Sequence, residues 1–202
     1  INDILSRRSS GLLKVPLKLG LPPVGNASNY LANLIFEAAG MTSAAALKEY
    51  GGDVYFADGA SLIDAWKDRH INSIFLTYNV PASSVSDALT GRSGRILAID
   101  GAVGKLLTEK YGFDTYTIKA GSYSGQDSDV PSVALPIVVF TTVEMQDEDA
   151  YNMAKAIFEG KEGFLNVHSS FRDFDPQKIA GGTGIELHPG AMKFYKEAGL
   201  LR

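Results

Sequence analysis

Cysteine is absent from the 202 residues of this chain. The sequence therefore offers no disulfide framework, no thiolate nucleophile and no cysteine-based metal site. The first residue is Ile1 instead of methionine, and no charged segment followed by an apolar stretch opens the chain. We therefore expect that a signal peptide has been removed or was never part of this sequence, and that an N-terminal portion is missing.

Long apolar runs and basic clusters are also lacking. The longest apolar candidate, residues 133–143, is far shorter than the roughly 20 residues of a membrane span, and it predicts a buried strand. Lys and Arg together number 19 against 23 Asp and Glu, which gives a formal net charge of −4. Because the longest basic cluster is Arg7-Arg8, we expect no nucleic-acid partner.

Signatures of catalysis and metal binding are scarce as well. His70, His168 and His188 are far apart, and none has the spacing of a metal site. The sequence has no Gly-x-Ser-x-Gly elbow, and its acidic groups fall in a loop and a first helical turn, where solvation and the helix dipole explain them. We expect no metal, no cofactor and no catalytic residue, and we expect His188 to cap or pack a helix. The protein is therefore predicted not to be an enzyme.

The pattern in residues 1–120 is typical of an α/β lobe. Short β-branched or apolar runs alternate with helical patterns, which predicts βαβ units and a small, mainly parallel sheet flanked by helices. The helical stripes start at Tyr30, Leu62 and Val103, and each offers one apolar face to the sheet. The predicted strands are Val15–Leu19, Asp53–Phe56, Ser73–Thr77, Arg95–Ile99 and Thr115–Ile118.

Capping signals stand at several of these helix ends. Ser61 with Asp64 three residues later resembles a capping box, and Asp100 is suited to cap the helix that follows it. Gly40 and Gly112 stand where left-handed residues close helices. The local signals therefore favour the same elements as the apolar periodicity.

The sequence pattern changes in the polar, turn-rich connector of residues 121–132. We predict a domain boundary there, followed by one long apolar strand, Val133–Thr142. Pro131 and Pro136 bracket its start, which is typical of an edge strand or a bulge. A helix with an acidic first turn and a final helix complete residues 133–202.

Two loops follow predicted strands at the edge where α/β sheets place ligands. Residues 22–28 are either an anion site, formed by N–H groups at a helix start, or a plain turn capped by Asn26 or by the serine two residues later. Tyr78 and Asn79 either contact a ligand or complete a turn, and the tyrosine of the connector is open to the same two interpretations. Neither loop matches a P-loop or a dinucleotide fingerprint.

The C-terminal run Leu187–Leu200 combines helix caps with a distinctive sequence. Pro189 suits the first position of a helix, and Gly199 suits the left-handed residue after its end. The order His-Pro-Gly-Ala, followed by Phe-Tyr-Lys-Glu-Ala-Gly-Leu, is more particular than capping requires. It resembles the C-terminal end of the TAXI-type solute receptors of tripartite ATP-independent periplasmic (TRAP) transporters.

Three further segments resemble that family in the same order along the chain. Gly25-Asn26-Ala27-Ser28 resembles its Gly-Ser-Gly-Thr loop, with departures at the second and third residues. Phe75–Tyr78 resembles the strand that leads to a Tyr-bearing loop, and Ala120–Ser132 closely resembles the interlobe connector.

The resemblance implies the second lobe of a type II periplasmic-binding-protein-like receptor. Such a receptor captures a small anionic solute in the periplasm, an amino acid such as glutamate or a carboxylate, for the membrane subunit of a TRAP transporter. It also implies that a first lobe, on the order of 100 residues, is missing before Ile1, that Val133–Thr142 crosses into that lobe, and that the C-terminal helices pack largely there. The implied ligand-binding residues are Gly25, Asn26, Ala27, Ser28, Tyr78, Asn79 and Tyr123.

Two other functions stay open at this point. One is an enzyme on the same fold, similar to thiamine-pyrimidine synthases, which would need a cluster of reactive residues. The other is an effector-sensing module, or a module that associates with itself through the exposed return strand.

Overall fold

The chain forms two compact units, residues 1–134 and residues 135–202. The computed structural model describes residues 16–38, 40–167, 171, 174–181 and 184–201. Val15, the start of the predicted first strand, and His168 lie outside these residues. Within the described part, no helix has both the length and the apolar character needed to cross a membrane.

A three-stranded parallel sheet with the order β2-β1-β3 organises the first unit. Its strands are β1 (Lys18–Leu21), β2 (Asp53–Phe56) and β3 (Ser73–Ile74). Ile71 and Leu62 pack closely over Gly20 of the central strand: a Cβ at this position would lie 2.5 Å from Cδ1 of Ile71 and 2.9 Å from Cδ2 of Leu62, so these side chains would have to shift. The α/β class with a small parallel sheet flanked by helices is therefore confirmed.

Helices pack on both faces of this sheet. The helices of the first unit, within the described residues, are α1 (Ala27–Ala38), a 3₁₀ helix (Ala44–Tyr50), α2 (Gly59–Lys67), α3 (Ser83–Gly91) and α4 (Gly101–Tyr111). Alternate strand residues face opposite sides, so Leu21 packs with Phe36 of α1 and Leu47 of the 3₁₀ helix. Leu62 of α2 covers the other side. The predicted stripes on α1 and α4 meet each other, with Leu107 buried between them.

An antiparallel pair, β4 (Asp114–Ile118) and β5 (Val130–Ala134), completes the first unit. The predicted connector therefore joins these two strands. Pro131, opposite Thr117, accepts a hydrogen bond from the N–H of Ile99 through its carbonyl, at 2.9 Å. The proline lies on an edge strand, as its missing N–H requires.

Four of the predicted strands differ from the structure by more than one residue. The first, predicted at Val15–Leu19, is observed at Lys18–Leu21. The strand predicted at Ser73–Thr77 ends at Ile74, and Arg95–Ile99 has no strand. The return strand predicted at Val133–Thr142 is wrong in its bounds, because the observed strand ends at Ala134. The prediction rested on a run of apolar residues at successive positions, which is typical of a strand buried between two layers. In the structure, side chains of this run such as those of Ile137 and Phe140 are exposed.

One helix end follows its sequence signal and another does not. Gly112 closes α4 in the left-handed conformation, with φ of 71°, as predicted. The capping box predicted at Ser61 and Asp64 is wrong, because α2 begins at Gly59 and is capped by Asp58. The carboxylate of Asp58 accepts hydrogen bonds from two backbone N–H groups of the first turn, which is the ordinary work of an aspartate cap.

The second unit consists of helices. These are α5 (Asp147–Glu159), α6 (Lys161–Val167), a 3₁₀ helix (Pro176–Lys178) and α7 (Pro189–Glu197). Phe194 of α7 packs edge-on against Tyr151 and Phe158 of α5, at centroid distances of 5.5 and 5.6 Å. The predicted start of α7 at Pro189 is confirmed, and Gly199 adopts the left-handed conformation with φ of 72°.

Candidate functional site

Three loops lie at the carboxyl edge of the parallel sheet. They are residues 22–26 after β1, residues 57–58 after β2 and residues 75–82 after β3. Because the three strands are parallel, their carboxyl ends share one edge. This is the position at which open α/β sheets hold ligands.

The first loop ends in an exposed helix start. The Asn26 side chain accepts a hydrogen bond from the N–H of Ser28 at 2.8 Å, and its carbonyl accepts one from Tyr30 at 3.1 Å. Asn26 is therefore the cap of α1, which is one of the two roles the sequence left open. Gly25, with φ of 96°, and Ala27 are exposed beside it. The positive end of the helix dipole thus faces outward at this edge.

A buried hydroxyl joins the first loop to the third. Ser28 is only 3% exposed, and its Oγ accepts the N–H of Thr77 at 2.9 Å and lies 2.9 Å from Oγ1 of the same threonine. The structure thus brings two of the predicted site segments together. The predicted ligand contact of Ser28 remains a prediction, and its hydroxyl already holds the two loops in register.

Two asparagines for which the sequence predicted no role support the first loop. Asn29 is buried and donates to the carbonyl of Pro22 at 2.8 Å. Asn33 donates to the Asn29 side chain at 2.9 Å and accepts the N–H of Ala44 at 2.9 Å. The signal was their spacing of four residues within an otherwise apolar helix, which places both amides on one face.

Tyr78 lies next to the second loop. Its ring is 42% exposed, and its hydroxyl oxygen is 2.7 Å from the position that a Cβ on Gly59 would take. The tyrosine therefore lies over the start of α2, beside the capping Asp58. A hydrogen bond from the Ser61 hydroxyl, followed by backbone donors, holds the pKa of that carboxyl below its usual value. Asn79 is exposed on the same loop.

Tyr123 contacts the end of the third loop and is buried. Its side chain is only 6% exposed, and its hydroxyl oxygen accepts the N–H of Ala82 at 2.9 Å. Burial raises the pKa of the Tyr123 hydroxyl. A direct contact between Tyr123 and a ligand therefore stays a prediction, while its contact with the end of the third loop is observed.

The sequence of the chain matches the model of the NMT1-like family over residues 14–199. That match includes all three loops of the carboxyl edge. The chain belongs to the NMT1-like family. This is a periplasmic-binding-like family, and membership supports a general role in binding a substrate or solute. The NMT1-like lobe therefore has its candidate site at the edge where its sheet presents a helix start, a tyrosine and an asparagine.

The second unit contains His188, the histidine for which the sequence left a catalytic role as an alternative to capping. Nδ1 of His188 accepts the N–H of Gly190 at 3.2 Å, and Nε2 lies 3.2 Å from the carbonyl oxygen of Met145. The predicted capping role is therefore confirmed. Over the described residues, no group of three or more His, Cys, Asp or Glu side chains is arranged to hold a metal ion.

Proposed function

We propose that this chain binds a small anionic solute as the receptor component of a TAXI-type TRAP transporter. The observation that carries the proposal is the exposed start of α1 at the carboxyl edge, with Tyr78 and Asn79 on the neighbouring loop. The family match and the resemblance of four sequence segments to TAXI-type receptors support it. A periplasmic location and a partnership with the transporter's membrane subunit belong to the same proposal.

The physical basis is the charge of a helix start. The first N–H groups of a helix have no intrahelical acceptor, and the aligned peptide dipoles place about half a positive charge there. The N–H of Ala27, the first residue of α1, therefore suits a carboxylate, with Gly25 exposed just before the cap, while the Tyr78 hydroxyl and the Asn79 amide are suited to further polar contacts. A solute with one or two carboxylates, such as glutamate or succinate, fits this arrangement.

The expected affinity is low. Ligand sites in proteins usually bury most of a small solute, whereas Gly25, Ala27, Tyr78 and Asn79 are all exposed. An exposed helix start contributes only about 0.3–1 kcal/mol to the binding of an anion. We therefore expect a dissociation constant in the millimolar range or weaker for the chain alone, equivalent to about −4 kcal/mol or less favourable.

Titration of ¹⁵N-labelled protein with succinate tests the site, with L-glutamate as a second probe. We expect amide shifts at Gly25, Ala27, Tyr78 and Asn79, and much smaller shifts with succinamide, which has the same shape without the charge. Gly59→Ala should weaken the response because the added methyl group displaces the Tyr78 hydroxyl. Equal responses to succinate and succinamide would contradict an anion site.

Calorimetry of the same mixtures tests the expected weakness. Micromolar or tighter binding by this chain would refute the argument that the exposed edge gives only low affinity. We propose binding without turnover, because both ring nitrogens of His188 are engaged in the start of α7. Conversion of a bound solute that is lost in His188→Asn, a variant that keeps a side chain able to cap the helix, would favour an enzyme instead.

A further inference from the structure

The third loop is tied at both ends by a side-chain hydroxyl. At its start, the N–H of Thr77 donates to Oγ of Ser28 at 2.9 Å. At its end, the N–H of Ala82 donates to the hydroxyl oxygen of Tyr123, also at 2.9 Å. Between these two bonds lie Tyr78 and Asn79, the two residues whose side chains the proposed function assigns to the solute.

Tyr123 belongs to a turn that has its own closing bonds. The N–H of Gly121 donates to the carbonyl of Gln126 at 2.8 Å, and the Gln126 amide donates to the carbonyl of Ile118 at 3.1 Å. Asp129 accepts the N–H of Ala120 at 2.9 Å and pairs with the Lys119 ammonium at 2.9 Å. The backbone that carries Tyr123 is therefore held independently of the third loop.

We propose that Tyr123 is a positioning residue that ties the end of the third loop to the turn of residues 119–129. The buried tyrosine holds Tyr78 and Asn79 in place through Ala82 and does not itself contact the solute. The proposal rests on the proposed function only for the role of those two side chains.

The hydroxyl and the ring of Tyr123 have separable effects. Tyr123→Phe keeps the buried ring but removes the acceptor of the Ala82 N–H. Loss of one partner from a buried hydrogen bond has a cost equivalent to about a tenfold or larger change in an equilibrium constant. We therefore expect the local opening that exposes the Ala82 amide to become about tenfold more populated.

Amide hydrogen exchange of the ligand-free protein measures this opening residue by residue. The matched control is Tyr151→Phe, which removes a tyrosine hydroxyl that donates to Glu197 in the second unit. In Tyr123→Phe we expect about tenfold faster exchange at Ala82, with acceleration also at Asn79 of the same loop, while Gln126 of the independently held turn keeps its wild-type rate. The central strand residue Leu19 should keep its wild-type rate.

Two results would overturn the positioning role. One is exchange at Ala82 that is no faster in Tyr123→Phe than in Tyr151→Phe. The other is equal acceleration at Ala82 and Leu19, which would indicate a general loss of stability instead of a local tie.

The same variant, titrated with succinate, separates this inference from the proposed function. If the wild-type protein binds, Tyr123→Phe should bind more weakly by at most about tenfold, because only molecules with the loop closed bind, and the shifts at Gly25 should persist because α1 is unchanged. A loss of affinity much greater than tenfold, or loss of the Gly25 shifts, would overturn the positioning role. If the wild-type protein gives no succinate shifts, the proposed function fails, and the exchange rates at Ala82 and Leu19 still decide whether Tyr123 ties the loop.

Discussion

Gly190, the glycine of the His-Pro-Gly-Ala sequence, is expected to be the least replaceable residue of the second unit. It lies in the first turn of α7, where the helix passes close to the start of α5. A Cβ at Gly190 would lie 2.0 Å from the carbonyl oxygen of Asp147 and 3.0 Å from its Cα. These are backbone atoms, so no side-chain rotation relieves the contact.

The cost of Gly190→Ala follows from that geometry. The contact must lengthen from 2.0 Å to at least 3.4 Å to become ordinary, which moves α7 away from α5. Overpacking of this kind costs about 1–3 kcal/mol, and the edge-on contacts of Phe194 with Tyr151 and Phe158 weaken with it at about 0.5–1.5 kcal/mol each. We expect the free energy of unfolding of the second unit to fall by about 3 kcal/mol. This corresponds to roughly a 100-fold rise in the population of molecules in which α7 has separated from α5.

Gly163→Ala is the matched control, because a Cβ at Gly163, in α6 of the same unit, meets nothing within 4 Å. That variant should gain up to about 1 kcal/mol from helix propensity. Hydrogen exchange of peptides from α5 and α7 measures the effect where it arises, while fluorescence of Trp66, the single tryptophan, follows the first unit. Equal exchange rates in Gly190→Ala and Gly163→Ala would refute the close-approach argument.

Two further predictions concern the stability of the fold. Leu107→Ala empties a fully buried position between α1 and α4, and it should lower the free energy of unfolding by about 2–5 kcal/mol in urea denaturation followed by Trp66 fluorescence. An unchanged midpoint would contradict the assigned core. Burial raises the pKa of Tyr123 and of Tyr195, so the native state holds protons that the unfolded chain releases above about pH 10. The resulting contribution to the free energy of unfolding is present below that pH and is lost as the pH rises through the raised pKa values. The midpoint of thermal unfolding, measured from pH 8 upward, should therefore fall with pH. In Tyr123→Phe this fall should be shallower.

The sequence predicts the elements whose signals are local. The stripe from Tyr30 identifies α1, Gly112 identifies the end of α4, and the run Asp53–Phe56 identifies β2 with its observed bounds. Helix periodicity and left-handed glycines act over a few residues, so a single chain displays them directly. The α/β class follows from the order of these elements.

The contacts of the candidate site are not visible in the sequence, because they join distant residues. Ser28 meets a partner 49 positions away, and the partner of Tyr123 lies 41 positions away. A hydroxyl looks the same in the sequence whether it contacts a solute or a backbone N–H. Gly190 is similar: capping rules explain Pro189 next to it, and only the approach of α5 explains the glycine.

The exposed segment after β5 has a practical consequence for work with this protein. Leu135, Ile137, Val139, Phe140 and Val143 are from 48% to 93% exposed, and no charged residue interrupts the chain between Asp129 and Glu144. Uncharged β-branched segments of this kind are the sites from which proteins aggregate. The colloidal behaviour of concentrated samples should therefore depend on this segment more than on the net charge of −4, so that Val139→Lys raises the concentration at which light scattering begins.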